Sequence, residues 1–156
     1  MIIISLFLSL ILLWSAVSAI TIQVSGVLNL VLGEAALDGP PGSNLRPEYE
    51  SSRDKIRITV FEQYYLRWQV NVRKTDNNWH PDLHLFIRRT SDGNGDPTSR
   101  VIGGLDYREI SDFDRGWFRG GGNRDNINAQ LKLTGVSVSL PVDTYTTIIM
   151  YTVIEL

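Results

Sequence analysis

Apolar and polar residues alternate along most of this chain, so that every second side chain is hydrophobic. The alternation is clearest in four segments, whose apolar positions are Ile56, Ile58 and Val60; Leu66, Trp68, Val70 and Val72; Leu83, Leu85 and Ile87; and Ile127, Ala129, Leu131 and Leu133. A period of two is typical of β-strands that bury one face and leave the other in water. After residue 19, no window carries the apolar stripe of an amphipathic helix. The pattern therefore predicts an all-β domain.

The first predicted strand is unusually long. Its apolar positions of one parity are Ile20, Ile22, Val24, Leu28, Leu30 and Leu32. At about 3.3 Å per residue such a strand would extend roughly 40 Å, about twice the usual length, and Gly26 is the natural place for a break. This segment can pair within its own sheet, or it can be donated as a strand to a neighbouring subunit.

Alternation is lost in residues 33–54, where Gly, Pro, Ser and Asn cluster, so a long surface loop is predicted there. Three further elements are expected from composition: a turn at residues 75–78, a weaker strand around Leu105 and Tyr107, and a glycine-rich loop at residues 116–123. The apolar parity then shifts across Gly135 into residues 136–140, as a β-bulge would produce. With a closing strand at residues 145–154, the chain fits an Ig-like antiparallel β-sandwich of about seven to nine strands.

The closing strand is apolar on both faces. One face carries Tyr145, Ile149, Tyr151 and Val153, and the opposite face carries Ile148, Met150 and Ile154. A strand in an outer sheet of a sandwich normally keeps one wet face. The loop at residues 33–54 is long enough to cover the second face and is the simpler explanation. A second subunit is the alternative, and it makes Ile148, Met150 and Ile154 a candidate interface.

Residues 1–19 are apolar and uncharged, and they end in small residues. The apolar run is shorter than the roughly 20 residues needed to span a bilayer, so it predicts a secretory signal peptide cleaved after Ala19. No Lys or Arg precedes the run, which leaves an uncleaved anchor as the alternative and the only predicted route to a membrane. Residues 20–156 are then a single domain, secreted or displayed at the cell surface, that contains no cysteine.

The polar residues do not form a recognisable catalytic or metal-binding set. Residues 92–96 have the spacing of a calcium loop, but Pro97 and Gly103 occupy positions that the motif reserves for Gly and Glu, so a turn is the better interpretation and only weak calcium binding stays open. His80 and His84 are too far apart on a strand to share one ion. Gly120–Gly122 lack the Lys and helix of a phosphate loop, and no His or Cys partners the carboxylates Asp106, Glu109, Asp112 and Asp114. We therefore expect no enzyme, cofactor or metal, and the net charge of −2 argues against nucleic-acid binding.

Three aromatic residues near predicted turns, Trp79, Trp117 and Phe118, are candidates for a sugar-stacking platform. The alternative is that they close the ends of the core. A secreted module that binds a carbohydrate or another ligand is therefore the second predicted function.

The chain end, Val136-Ser-Val-Ser-Leu140-Pro141-Val-Asp143-Thr-Tyr145 followed by a Thr-rich strand, resembles the closing hairpin of secreted pilin-type and spore-coat-U-type β-sandwiches. The start, Ile20-Thr-Ile-Gln-Val-Ser-Gly26-Val, resembles their opening strand. Asp143 stands where those families have Gly, and their cysteine pair is missing. The resemblance implies a structural protein of the cell envelope, such as a fibre subunit assembling with itself or with another envelope protein, with residues 20–32 as the donated strand.

Overall fold

The computed structural model describes residues 20–156, so the predicted signal peptide at residues 1–19 lies outside the described residues. The described chain is all-β and forms two antiparallel sheets that pack as a sandwich, which confirms the predicted fold class. None of its helical segments is long and apolar enough to cross a membrane.

The described residues contain eleven strands and one 3-10 turn, Glu34–Ala36. Seven strands have five residues or more: β1 (Thr21–Ser25), β3 (Ile56–Phe61), β4 (Arg67–Asn78), β5 (His84–Arg89), β9 (Arg115–Gly121), β10 (Arg124–Thr134) and β11 (Thr146–Glu155). Four have two or three: β2 (Glu48–Glu50), β6 (Asn94–Gly95), β7 (Ile102–Gly103) and β8 (Arg108–Glu109).

The larger sheet has the order β1-β3-β10-β5-β8, with β2 and β6 paired to the two ends of β10. The smaller sheet has the order β11-β4-β9-β7. Two edges therefore lie on the same side of the sandwich, β1 in one sheet and β11 in the other, and these two strands contact each other.

The core fills the space between the sheets mostly with residues that the alternation selected, and Phe118 is an addition to them. Its fully buried side chains include Ile58, Val60, Trp68, Val70, Ile87, Ile127 and Phe118. Trp68 and Phe118 meet edge to face with ring centroids 6.1 Å apart, a favourable geometry for aromatic pairs.

Several predicted elements differ from the structure. The first strand ends at Ser25, before Gly26, so only part of residues 20–32 is β-structure. The turn predicted at residues 75–78 is instead the end of β4, because β11 pairs with this stretch. The weak strand around Leu105 and Tyr107 is replaced by β7 and β8, which belong to different sheets.

The strand predicted after Gly135 is absent from the described chain, where residues 136–140 form a turn instead. Gly135 has a φ of +82°, and a side chain there would collide with the carbonyl oxygen of Asp82, 1.7 Å from the ideal Cβ position. The shift in parity therefore marks the end of β10 and not a bulge within it.

Candidate functional site

The outer face of β11 carries an exposed apolar row. Ile148, Met150 and Ile154 are 54%, 40% and 40% exposed, while Ile149, Tyr151 and Val153 pack against the core. We call Ile148, Met150 and Ile154 the β11 row. Isolated exposed hydrophobic residues are ordinary, but three on one face of one strand form a patch that needs an explanation.

The loop that was expected to cover this row lies elsewhere, so that explanation was wrong. Residues 33–54 pack along β10: Tyr49 of β2 pairs with Leu133, and the Asn44 side chain accepts a hydrogen bond from the amide of Val138 at 2.9 Å. These contacts hold the loop on the larger sheet.

The backbone edge of β11 is also open. Within the described chain, β11 pairs with β4 alone. The Leu156 amide donates to the Arg67 carbonyl at 3.0 Å, so even-numbered residues direct their N–H and C=O groups to β4. Ile149, Tyr151 and Val153 therefore direct theirs to the open edge, in a stretch, residues 146–154, that has no charge, Gly or Pro.

A polar ladder lies beside the β11 row on the same sheet. Arg119 Nε donates to Gln69 Oε1 at 2.8 Å, Gln69 Nε2 donates to Asn71 Oδ1 at 2.7 Å, and Asn71 Nδ2 donates to Asp114 Oδ2 at 3.1 Å. The ladder satisfies its own donors and acceptors, so this part of the face is rigid and already hydrogen-bonded. The β11 row is therefore the apolar part of this face that stays exposed to solvent.

The predicted donor segment is divided between two environments. Ile20, Ile22, Val24 and Leu28 pack against the core, and β1 pairs antiparallel with β3 of the same chain. Beyond β1, Leu32 is half-buried, and Leu30 is exposed together with Val27 and Val31.

Two of the three predicted loop aromatics are core residues, so the proposed platform is wrong for Trp117 and Phe118. Both lie in β9 and are buried. The register between β4 and β9 shifts between Val70 and Asn71, which leaves Trp117 as an extra residue and turns both rings inward. Trp79 is half-buried and donates from Nε1 to the Leu83 carbonyl at 2.8 Å, so it closes the end of the core.

The predicted glycine-rich loop is a strand because its glycines make room for larger neighbours. Gly120 lies opposite Trp68, whose indole carbon would be 2.4 Å from a Cβ at that position. The bulky partner on β4 fills the space that the glycine leaves, and the strand is retained.

A group of three exposed aromatics lies at the end of β3 and in the connection from β3 to β4. Tyr65 is 79% exposed, and Phe61 and Tyr64 are about half exposed. Tyr65 and Phe61 border two adjoining hollows of about 300 and 270 Å³ that share Gly95 and Asn123. The sequence predictions did not include these residues. Their signal in the sequence is a group of three aromatics at the point where the alternation stops between two predicted strands.

The loop that carries Tyr65 is held by a buried carboxylate. Glu62 Oε2 accepts from the amides of Tyr64 at 2.7 Å and Leu66 at 2.9 Å, and the Glu62 amide donates to Asn123 Oδ1 at 2.7 Å. Tyr65 has a φ of 55°, which is uncommon for a bulky residue. Strained backbone conformations cluster at functional sites, so the φ of Tyr65 makes this connection a candidate site.

Two buried arginines anchor the loop opposite Tyr65. Arg124 Nη2 donates to the Asp96 carbonyl at 2.8 Å, and Arg89 Nε donates to the Gly103 carbonyl at 2.9 Å. The Asp96 carboxylate accepts from the hydroxyl and the amide of Thr98, which lowers its pKa below the ordinary value of 3.8. Asp96 therefore faces the hollow as an ionised acceptor.

Several of the residues considered for catalysis or metal binding are engaged in separate local pairs. Asp92 pairs with the buried Arg89, and His84 Nδ1 lies 2.7 Å from Glu109 Oε1. Among residues 20–156, no group of three or more His, Asp or Glu side chains is placed to hold a metal ion. Asp92 holds the turn after β5, and His84 and Glu109 join the neighbouring strands β5 and β8.

Comparisons with family models, with curated proteins and with solved structures found no match to this chain.

Proposed function

We propose that this chain is an exported structural protein whose sandwich joins a second copy of itself along β11, as a subunit of a cell-surface assembly. The open, uncharged edge of β11 beside the exposed β11 row carries the proposal. An exposed, long and apolar edge strand pairs readily with another chain unless charge, Pro or a bulge blocks it, and residues 146–154 contain no charge or Pro.

A second copy is the partner that fits this edge. Antiparallel pairing of β11 with β11 about a two-fold axis brings each residue against another from the same uncharged stretch, so no like charges meet. It would join the two four-stranded sheets into one continuous sheet and extend the β11 row across it. The pairing uses backbone groups of Ile149, Tyr151 and Val153 that are hydrogen-bonded to no other strand of the described chain, although β1 of the facing sheet contacts β11.

The test is sedimentation velocity of residues 20–156 over a range of concentrations, with Met150→Lys as the variant. A lysine in the middle of the row opposes edge pairing by charge and leaves the buried face of β11 intact. We expect concentration-dependent association of the wild type and a monomeric variant with an unchanged circular dichroism spectrum.

Ile102→Lys is the matched control. Ile102 is an exposed isoleucine at the opposite edge of the same sheet, in a strand of two residues that is too short to hold a partner. The control should associate like the wild type. Wild-type protein that stays monomeric at all concentrations, or association that Met150→Lys leaves unchanged, rules out the β11 interface.

Strand donation by residues 20–32 is the second candidate for assembly. Its support is that the segment after β1 keeps Val27, Leu30 and Val31 exposed, although β1 itself pairs within the chain. Deletion of residues 20–32 distinguishes the two routes. Loss of assembly from a deletion variant that stays folded favours donation, whereas persistent assembly favours β11.

A further inference from the structure

We propose that the two hollows beside the β3–β4 connection form a binding site for a neutral oligosaccharide, independent of the β11 interface. Each hollow has one exposed aromatic ring at its border, Tyr65 in the first and Phe61 in the second. Sugar rings present flat C–H faces that pack on aromatic rings, and their hydroxyls seek polar groups around them. Two adjoining hollows fit consecutive sugar units of one chain.

The polar groups around the first hollow suit hydroxyl ligands. Asn123 uses its Oδ1 to accept from the Glu62 amide, so its Nδ2 can donate to a ligand, as can the exposed amide of Gln63. Asp96 supplies an acceptor. Gly122 lies close to Tyr65, Asp96 and Ser99, each within 4 Å of its ideal Cβ, and its φ of +64° is a conformation that favours glycine.

The charges around the site favour a neutral ligand. The carboxylates of Glu62, Asp96 and Asp125 all accept hydrogen bonds from the chain's own groups, namely the amides of Tyr64 and Leu66, Thr98, and Thr59 at 2.6 Å. Arg124 is buried: its Nη2 donates to the carbonyl of Asp96 and to Ser99, and its Nε is enclosed without a partner. A phosphate or sulfate would meet three carboxylates, and the one cation among the lining residues, Arg124, is buried, whereas a polyol meets no such repulsion.

The backbone of this loop holds the Tyr65 ring in a fixed and exposed position. The Glu62 carboxylate fixes the amides on both sides of Tyr65, and this clamp holds the backbone at a φ of 55° with the side chain in solvent. A binding residue held rigidly before the ligand arrives loses little freedom when the ligand binds. A structural role would place the ring against the core, and Tyr65 is instead the most exposed aromatic of the connection.

The experiment is a ¹H–¹⁵N NMR titration of residues 20–156 with neutral hexasaccharides of glucose, N-acetylglucosamine, mannose, galactose and xylose. We expect one or more of them to shift the amides of residues 61–66, 94–96 and 123–125. Tyr65→Ala should lower the affinity about tenfold or more, as loss of an aromatic contact of 1–2 kcal/mol would, and Phe61→Ala should weaken the hexasaccharide more than the monosaccharide.

Tyr64→Ala is the matched control, because Tyr64 is a neighbouring, half-exposed tyrosine that borders neither hollow. It should leave the affinity unchanged, and Tyr65→Phe should retain binding through its ring. The proposal is overturned if none of the five sugars shifts these amides, if Tyr64→Ala and Tyr65→Ala weaken binding equally, or if spermidine binds there in place of the sugars. Met150→Lys serves as a further check, since it should bind sugar normally whatever its effect on assembly.

Discussion

Single polar residues hold one end of the sandwich together. Arg89 lies on the inward face of β5, is almost fully buried and donates to the carbonyls of Val101, Gly103 and Ser91. A guanidinium with five fixed donors can satisfy several carbonyls at once, which a lysine cannot. The buried charge is tolerated because Asp92 pairs with it and carbonyl oxygens surround it.

Arg89→Leu should lower the free energy of unfolding by about 3 kcal/mol, because it leaves buried carbonyls without donors. Urea denaturation followed by tryptophan fluorescence measures the change. Arg88→Leu is the control: Arg88 is on the opposite face of β5, where it bonds to Gln130 at 2.8 Å and stacks on Tyr107. That variant should lose about 1 kcal/mol or less, and equal losses would contradict the assigned role of Arg89.

The strained Tyr65 gives a second prediction at this scale. Tyr65→Gly removes the cost of a positive φ, about 1–2 kcal/mol, against the extra unfolded-state entropy of Gly, about 0.5–1 kcal/mol. We expect the variant to be about 0.5 kcal/mol more stable than the wild type in thermal denaturation. Tyr64→Gly, which relieves no such strain, should be less stable by a similar amount, and a destabilised Tyr65→Gly would show that the ring itself supports the fold.

At the scale of elements, the clearest dependence is between β4 and β9. Gly120 of β9 leaves the space that the Trp68 indole of β4 occupies. Each strand therefore determines what residue the other can carry, and this dependence is invisible in either segment alone. The bulge that turns Trp117 inward has the same origin, since it arises from the register with β4.

Gly120→Ala should lower the free energy of unfolding by about 1–3 kcal/mol, because the rigid indole and the backbone must move apart. Gly121→Ala is the matched control in the same strand. Its nearest neighbour would be the Leu66 carbonyl at 3.6 Å, an ordinary contact, so it should be neutral or slightly stabilising. Equal chemical-denaturation midpoints for the two variants would contradict the packing described for Gly120.

The whole molecule has no disulfide, so its stability rests on burial, hydrogen bonds and surface charge. Three surface carboxylates, spread along the chain, contribute to this stability. Hydrogen bonds from Arg57 to Asp54, from Thr98 to Asp96 and from Asn78 to Asp143 lower the pKa of each carboxylate below 3.8. These interactions stabilise the folded state fully when the pH is above the pKa of the carboxylates in the unfolded chain. The stabilisation is lost as the pH falls through their lower pKa values in the folded state.

We therefore expect the melting temperature to fall as the pH decreases below about 4, where the unfolded chain takes up protons before the folded one. The Asp143→Asn variant should show a shallower fall, since position 143 then binds no proton in either state. Its pH profile by differential scanning calorimetry should converge with that of the wild type at the acid end. Parallel profiles over the whole range would contradict the lowered pKa of Asp143.

The all-β class, the positions of most long strands and most core residues follow from the sequence, because the period of two is a local property that each strand carries in its own side chains. Residues 116–123 show the limit: their glycines indicated a loop, but Trp68, remote in sequence, makes them a strand. The exposed aromatics were misplaced for the same reason, as register decides whether Trp117 or Tyr65 faces water.

The candidate site, like the fold, was determined partly by the sequence and partly by the tertiary structure. The sequence alone determined that β11 is apolar on both faces, because that property is written in residues 146–154. Only the tertiary structure decided that residues 33–54 pack on β10 and leave the β11 row exposed. It likewise brought Tyr65, Asp96 and Asn123 around one hollow. Contacts between residues distant along the chain depend on how strands pair and cross between sheets, and that information resides in the combined packing of both sheets and in no single segment.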